Sequence, residues 1–291
     1  MRPIPPIPPI PLFAGVRLLL VGLHLLSGVL QVALLFPLGG APWRHSLRRI
    51  WSRQLLTLLG IRIESVGDSL DGIEDGLVVG NHISFIDIYL INALLPCGFV
   101  AKSEVARWPL IGWLSRHNDT VFIERGNRKA AHRTHHTMLA ALGAGRRVAI
   151  FPEGTTTAGD KVLPFHAALF QSAIDAAVPV HALAISYHGA GGTRSRAPAY
   201  IDDMSLVECM INVMRAGGLV ARVRLAQSLA PPLANRRELA QRAHQVVAAA
   251  LAHEPELAPA DPPHDLDPAN REGKLPNNGA QSLRNEAAIS P

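Results

Sequence analysis

The chain has 291 residues, of which 48% are apolar and 18% charged, with a formal net charge of +5; an average soluble chain is about 25% charged. That length can bury a core in one large domain or two small ones, and the apolar skew implies a membrane-facing part. Positive charge suits an anionic lipid surface or substrate. Aromatic residues are scarce and not interleaved with basic ones, which argues against a nucleic-acid partner. Cys97 and Cys209, the only cysteines, lie too far apart in sequence for a disulfide framework or a CxxC metal knuckle.

The first eleven residues, MRPIPPIPPIP, are a proline-rich lead that cannot be helical. From Leu18 to Phe36 no side chain carries a formal charge, and about 20 helical residues cross a hydrocarbon core. Three readings are open for this run: a membrane span or a helix embedded in one leaflet, a cleaved signal peptide, or a buried core helix. Arg44, Arg48, Arg49 and Arg53 follow the run, against Arg2 and Arg17 before it. This bias is expected to leave the main domain on the cytoplasmic side of the inner membrane, with the arginines available to anionic head groups.

From Ile61 onward strands alternate with helices. IRIESV, GLVVGN, GFVAK, TVFIER, RVAIFPEG and VPVHALAISY read as strands; Phe85–Leu95, Arg128–Leu142 and Phe165–Ala177 read as helices. A strand near LVARVRLAQ and an amphipathic helix over Arg236–Leu251 complete the pattern. The expected fold is α/β, with a mixed, largely parallel sheet flanked by helices behind an N-terminal membrane-associated helical segment. The organisation expected is a lead at 1–11, a membrane-associated helical region at 12–54, a catalytic domain at 55–253 and a disordered tail at 254–291, whose composition cannot bury a core.

Three stretches carry polar groups at strand ends. After GLVVG come Asn81, His82, Ser84 and Asp87. Ser84 is a candidate N-cap for the following helix, and the bend would let Asp87 accept one imidazole N–H and orient His82 as a general base. An N-capped turn with an exposed histidine is the structural alternative. Arg125, after TVFIE, is placed to hold phosphate or carboxylate by bidentate hydrogen bonds. In VAIFPEGTTT, Gly154 permits close backbone approach and Thr155, Thr156 and Thr157 add hydroxyl groups. The chain has no GxxxxGK[ST] loop, no GxSxG elbow and no GxGxxG after a strand.

Together these stretches resemble the PlsC-type glycerolipid acyltransferases, typified by 1-acylglycerol-3-phosphate acyltransferase. The NHxSxxD motif is matched from Asn81 to Asp87, an apolar strand ending in acidic-Arg by Phe122–Arg125, FPEGT by Phe151–Thr155, and a Val-Pro pair by Val178–Pro179. AKSEVARWPLIG from Ala101 is similar to the segment between the first two motifs and includes Lys102.

The resemblance implies that His82, oriented by Asp87, deprotonates the hydroxyl of a lysolipid acceptor. That oxygen would attack the thioester of acyl-CoA or an acyl carrier protein, with no metal or other cofactor. It also implies that Arg125, Glu153, Gly154, Thr155 and Lys102 hold the acceptor, that Pro179 shapes the acyl pocket, and that Asn81 and Ser84 support the site. Lysophosphatidic acid, giving phosphatidic acid, is the commonest acceptor in the family. Many such members continue the third motif as FPEGTRS, whereas Thr156 and Thr157 stand here, as in relatives that acylate lyso-ornithine lipid. Acylation of lyso-ornithine lipid or another lysophospholipid is therefore the alternative, ahead of a non-catalytic lipid-binding protein or a lipid hydrolase.

Overall fold

The computed structural model describes residues 12–123 and 128–254. The proline-rich lead, Glu124, Arg125 and the tail beyond Glu254 lie outside the described residues.

Two helices come first, α1 (Leu12–Leu30) and α2 (Ala41–Leu58). The chain then alternates through β1 (Ile61–Val66), β2 (Leu77–Gly80), α3 (Ile86–Leu94), β3 (Gly98–Lys102), α4 (Ile111–His117), β4 (Val121–Ile123) and α5 (Arg128–Gly143). It finishes with β5 (Val148–Ile150), α6 (Gln171–Asp175), β6 (Val180–His188), α7 (Leu206–Ala216), β7 (Leu219–Leu229) and α8 (Arg236–Ala252). The strands form one seven-stranded sheet in the order β1-β7-β6-β2-β5-β3-β4. All neighbours run parallel except β6 and β7.

The central strands are buried on both faces, and period-2 alternation assigns their side chains to two cores. Val78, Ala149, Leu183, Ile185 and Tyr187 face one core, with Leu55, Leu56 and Leu59 at the end of α2, Leu90 and Ile91 of α3 and Val213 of α7. Leu77, Val79, Val148, Ile150, Val180 and Ala182 face the other, with Met138 of α5, Ala173 of α6 and Val247 of α8. The expected boundary at residue 54 therefore falls inside α2, whose last turns belong to the core of the catalytic domain.

Other elements also depart from expectation. The helix predicted over Phe165–Ala177 is reduced to a 3-10 turn, Ala167–Phe170, followed by the short α6. The chain before it stays extended because His166 N–H donates to the Pro152 carbonyl at 2.9 Å. Helix α7 has no counterpart in the sequence reading, although Ser205-x-x-Glu208 is a capping-box signal and the Ser205 hydroxyl accepts from Glu208 N–H at 3.2 Å.

α1 and α2 form an antiparallel pair. His24 stacks on Trp51 with centroids 4.6 Å apart, and near the bend Trp43 Nε1–H donates to the Leu35 carbonyl at 3.0 Å. The apolar stretch Gly15–Leu38 has 24 residues and a mean hydropathy of 2.2, and 17% of its most apolar window is buried, so it is not a core helix. The arginines of α2 are engaged within the protein rather than held out toward head groups. Arg53 donates to the Ala93 carbonyl, Arg49 to Leu94 and Arg48 to Cys97, while Arg44 donates to Phe36. The first three satisfy carbonyls at and just beyond the C-terminus of α3, where the helix dipole favours cations.

Candidate active site

β2 and β5 are adjacent and parallel, so the turns leaving them meet at the carboxyl edge of the sheet, where open α/β sheets gather ligand groups. β2 ends at Gly80, and the Asn81 side chain continues its pairing with β6: Nδ2 donates to the Ile185 carbonyl at 2.9 Å and Oδ1 accepts from Ile185 N–H at 2.8 Å. The buried amide thus fixes where the following turn begins.

His82 Nδ1 lies 2.9 Å from Asp87 Oδ2. The same oxygen accepts from the backbone N–H groups of Ile83 at 2.7 Å and Ser84 at 2.9 Å, while Oδ1 accepts from the Tyr187 hydroxyl at 2.7 Å. Asp87 is fully buried, so these four donors replace its hydration. The His82 side chain is 18% exposed, and with Nδ1 held by Asp87, Nε2 is the nitrogen left to meet a substrate proton. Its ring lies flat against Phe151, the first residue after β5, with centroids 3.9 Å apart and planes 4° apart.

Ser84 does not cap α3, as its sequence position had implied. Phe85 occupies the cap position without a side-chain bond, and the Ser84 hydroxyl is buried beside Cys209 Sγ. Asp87 binds the backbone N–H groups instead, so one carboxylate both closes the turn and orients the imidazole.

Glu153 also differs from its expected hold on an acceptor. It is 4% exposed, and its oxygens accept from His82 N–H at 2.7 Å and Leu163 N–H at 2.8 Å, clamping the β5 loop to the β2 turn. Burial pushes its carboxyl above the usual carboxylate value, and these two backbone hydrogen bonds oppose the shift. Thr157 N–H donates to the His82 carbonyl at 2.9 Å, adding a second tie between the loops. The Thr156 hydroxyl donates to the Tyr200 carbonyl, and Tyr200 N–H donates to the Ile83 carbonyl at 2.9 Å. Gly154, with a φ of 72°, and Thr155 are exposed at the tip of the β5 loop.

Pro179 is not in this site. Its carbonyl accepts from Leu77 N–H at 3.0 Å, at the amino edge of the sheet. His82 follows Leu77 along β2 and its turn, roughly 16 Å away at about 3.3 Å per residue. Lys102 ends β3 on the carboxyl edge, while its side chain, like the whole of Arg125, lies outside the described residues. Among the described residues no three His, Cys, Asp or Glu side chains converge as a metal site. A cavity of about 580 Å³ between β7 and α8, lined by Gln227, Glu238 and Gln241, sits at the opposite edge from His82.

Sequence reasoning missed Phe151 as a ring support and Tyr187 as a partner of Asp87. Phe151 was visible only as part of a motif. Tyr187 lies 100 residues from Asp87 and carried no local signal.

A histidine oriented by a buried aspartate, clamped to a Phe-Pro-Glu-Gly-Thr loop at the carboxyl edge of an α/β sheet, matches a known class. The acyltransferase family model matches residues 62–186. The lyso-ornithine lipid O-acyltransferase of Pseudomonas aeruginosa is 36% identical over 210 residues, covering 72% of this chain and 80% of that protein. The 1-acyl-sn-glycerol-3-phosphate acyltransferase of Neisseria meningitidis serogroup B is 36% identical over 186 residues, 64% of this chain and 72% of that one. The crystal structure of the 1-acyl-sn-glycerophosphate acyltransferase PlsC from Thermotoga maritima shares the fold, with a TM-score of 0.57 and 21% identity over 82% of this chain and 96% of that chain. The chain belongs to the acyltransferase family, and it is an enzyme of that class.

Proposed function

We propose that this acyltransferase moves a fatty acyl group from an acyl thioester to the free hydroxyl of a lysolipid at a membrane surface. The His82–Asp87 pair, with Nε2 facing outward, carries the reading. His82 Nε2 takes the acceptor's hydroxyl proton as the oxygen attacks the thioester carbonyl. Collapse of the tetrahedral intermediate expels the thiolate of coenzyme A or an acyl carrier protein, and the imidazolium returns the proton to that sulfur. Asp87 holds the tautomer and stabilises the imidazolium. Glu153 and Phe151 fix the backbone and the ring of the base.

The test is His82→Ala, assayed with acyl-CoA or acyl carrier protein and a lysolipid. Loss of a general base lowers the rate roughly 10²–10⁴-fold, and near-wild-type turnover would refute the mechanism.

For the acceptor, Thr156 supports lyso-ornithine lipid. Its hydroxyl is turned onto the Tyr200 carbonyl, and the position where many phosphatidic-acid-forming members carry arginine offers no cation. Lysophosphatidic acid is the second reading, supported by the likeness to the Neisseria enzyme. Purified protein supplied with both acceptors side by side decides between them.

Membrane association is supported by α1, which exposes Leu19, Leu23, Leu26 and Leu30. α1 is tied to the arginine-bearing α2 by His24 against Trp51, and the bend between them by Trp43 against Leu35, and a full span would carry those arginines into hydrocarbon at about 2.5–3.5 kcal/mol each. The pair therefore lies in one leaflet, facing the cytoplasm by the excess of arginine after the apolar run.

A further inference from the structure

β3 ends on the same edge of the sheet as the His82 turn, and the chain leaves it through a 3-10 turn, Ser103–Arg107. From Arg107 to Ile111 every residue is exposed; Trp108 is 50% accessible, Leu110 53% and Ile111 40%. Keeping such side chains in water forgoes the favourable transfer that burial would provide.

The backbone there is strained as well. Leu110 has φ 65° and ψ −56°, and Ile111 N–H donates to the Pro109 carbonyl at 2.7 Å, which makes a γ-turn of the rare positive-φ form. Leucine adopts this conformation only at a cost in backbone strain. The turn is braced from behind: Gly112 N–H donates to the Trp108 carbonyl at 2.9 Å, Arg116 Nη1–H donates to the Ala106 carbonyl at 2.9 Å, and a Cβ on Gly112 would collide with that same carbonyl. A braced, strained turn that displays tryptophan, leucine and isoleucine presents those side chains to something outside the fold.

We propose that Trp108, Leu110 and Ile111 form a wedge that enters the head-group and upper acyl region of an anionic bilayer, setting the His82 edge at the lipid surface. Tryptophan concentrates at that interface. Exposed Arg107 and Arg116 flank the wedge with charge complementary to anionic lipid. α4, which follows the wedge, ends beside α2: Asp119 pairs with Arg48 at 3.0 Å. The wedge is thus on the side of the sheet that carries the apolar α1. Its purpose, access to a lipid acceptor, rests on the function proposed above, but the contact itself is measured without turnover.

Cys97 and Cys209 are both buried, so Leu110→Cys supplies one accessible thiol for an environment-sensitive nitrobenzoxadiazole label. With vesicles of phosphatidylcholine and about one-third phosphatidylglycerol, the label should brighten, shift to the blue and resist aqueous iodide. The same label at Gln241→Cys, on α8 across the sheet, should stay open to iodide. Equal quenching at both positions overturns the wedge, whatever the enzyme's activity.

A second arm uses Trp108→Ser, Leu110→Gly and Ile111→Ser together. Acylation of a vesicle-embedded acceptor should fall roughly tenfold while that of a water-soluble short-chain acceptor is unchanged. Equal loss on both acceptors, or no loss on either, rejects the proposal. Wild-type protein that transfers no acyl group removes the proposed function and leaves the label result standing by itself.

Discussion

Asp87 accepts from an imidazole, two backbone amides and a phenol, all from positions fixed by the sheet or the turn. Tyr187 is the donor whose removal is most informative, because phenylalanine keeps the ring and deletes only the hydroxyl. Burial and the neighbouring Asp87 raise its phenol well above the usual value, so it remains a proton donor throughout the working range. Tyr187→Phe should lower kcat on the order of tenfold with KM little changed, since the acceptor site is untouched; steady-state kinetics with an acyl thioester read the split. Equal change in both constants would move Tyr187 from positioning the base to shaping the pocket. Glu153→Gln places an amide N–H₂ against a backbone N–H, leaving a buried donor without an acceptor. A loss of about 1–3 kcal/mol is expected in denaturant titration, with activity falling alongside it.

α3 connects the site to the N-terminal helix pair. Asp87 lies in its first turn, and its C-terminal region is held by Arg48, Arg49 and Arg53 of α2. Arg48→Ala removes the donor to the buried Cys97 carbonyl and leaves Asp119 with its longer pairing to Arg146, and should destabilise the fold by about 2 kcal/mol. Arg44, exposed near the bend, should contribute far less when replaced by alanine. Thermal denaturation of the two variants in detergent compares them directly. α7, legible afterwards from its capping box, should lose about 1 kcal/mol in Ser205→Ala through the bond to Glu208 N–H.

Across the molecule, the two edges of the sheet differ: the carboxyl edge holds the His82–Asp87 pair, where the proposed chemistry would occur, and the amino edge carries buried polar connections. His181 is one of these, with Nδ1 2.8 Å from Ser228 Oγ and Nε2 3.1 Å from the Glu74 carbonyl. Burial pushes its imidazole below the ordinary value of 6.5. A lowered histidine contributes stability that is complete above the unfolded-state value and is lost as pH falls from there toward the folded value. Stability should therefore decline as pH drops below about 6.5, and His181→Gln should flatten part of that decline. Melting temperatures of both proteins between neutral and mildly acidic pH measure it; parallel curves would assign the acid loss to other groups.

Local rules read the layered α/β architecture, because strands and helices announce themselves by short periods in hydrophobicity and β2 and β5 are apolar runs bounded by turn residues. The same rules reached His82 with Asp87, whose contact spans five residues and needs only a turn. They also noticed the polar Phe151–Thr155 loop, to which family likeness gave an expected role. Neither source reached Tyr187, the clamp made by Glu153, the arginines at the end of α3 or the displacement of Pro179 to the far edge. Each of these depends on which strands and helices become neighbours. That order follows from packing the whole chain, and hydrophobic periodicity, which reports only which face of an element is buried, does not carry it.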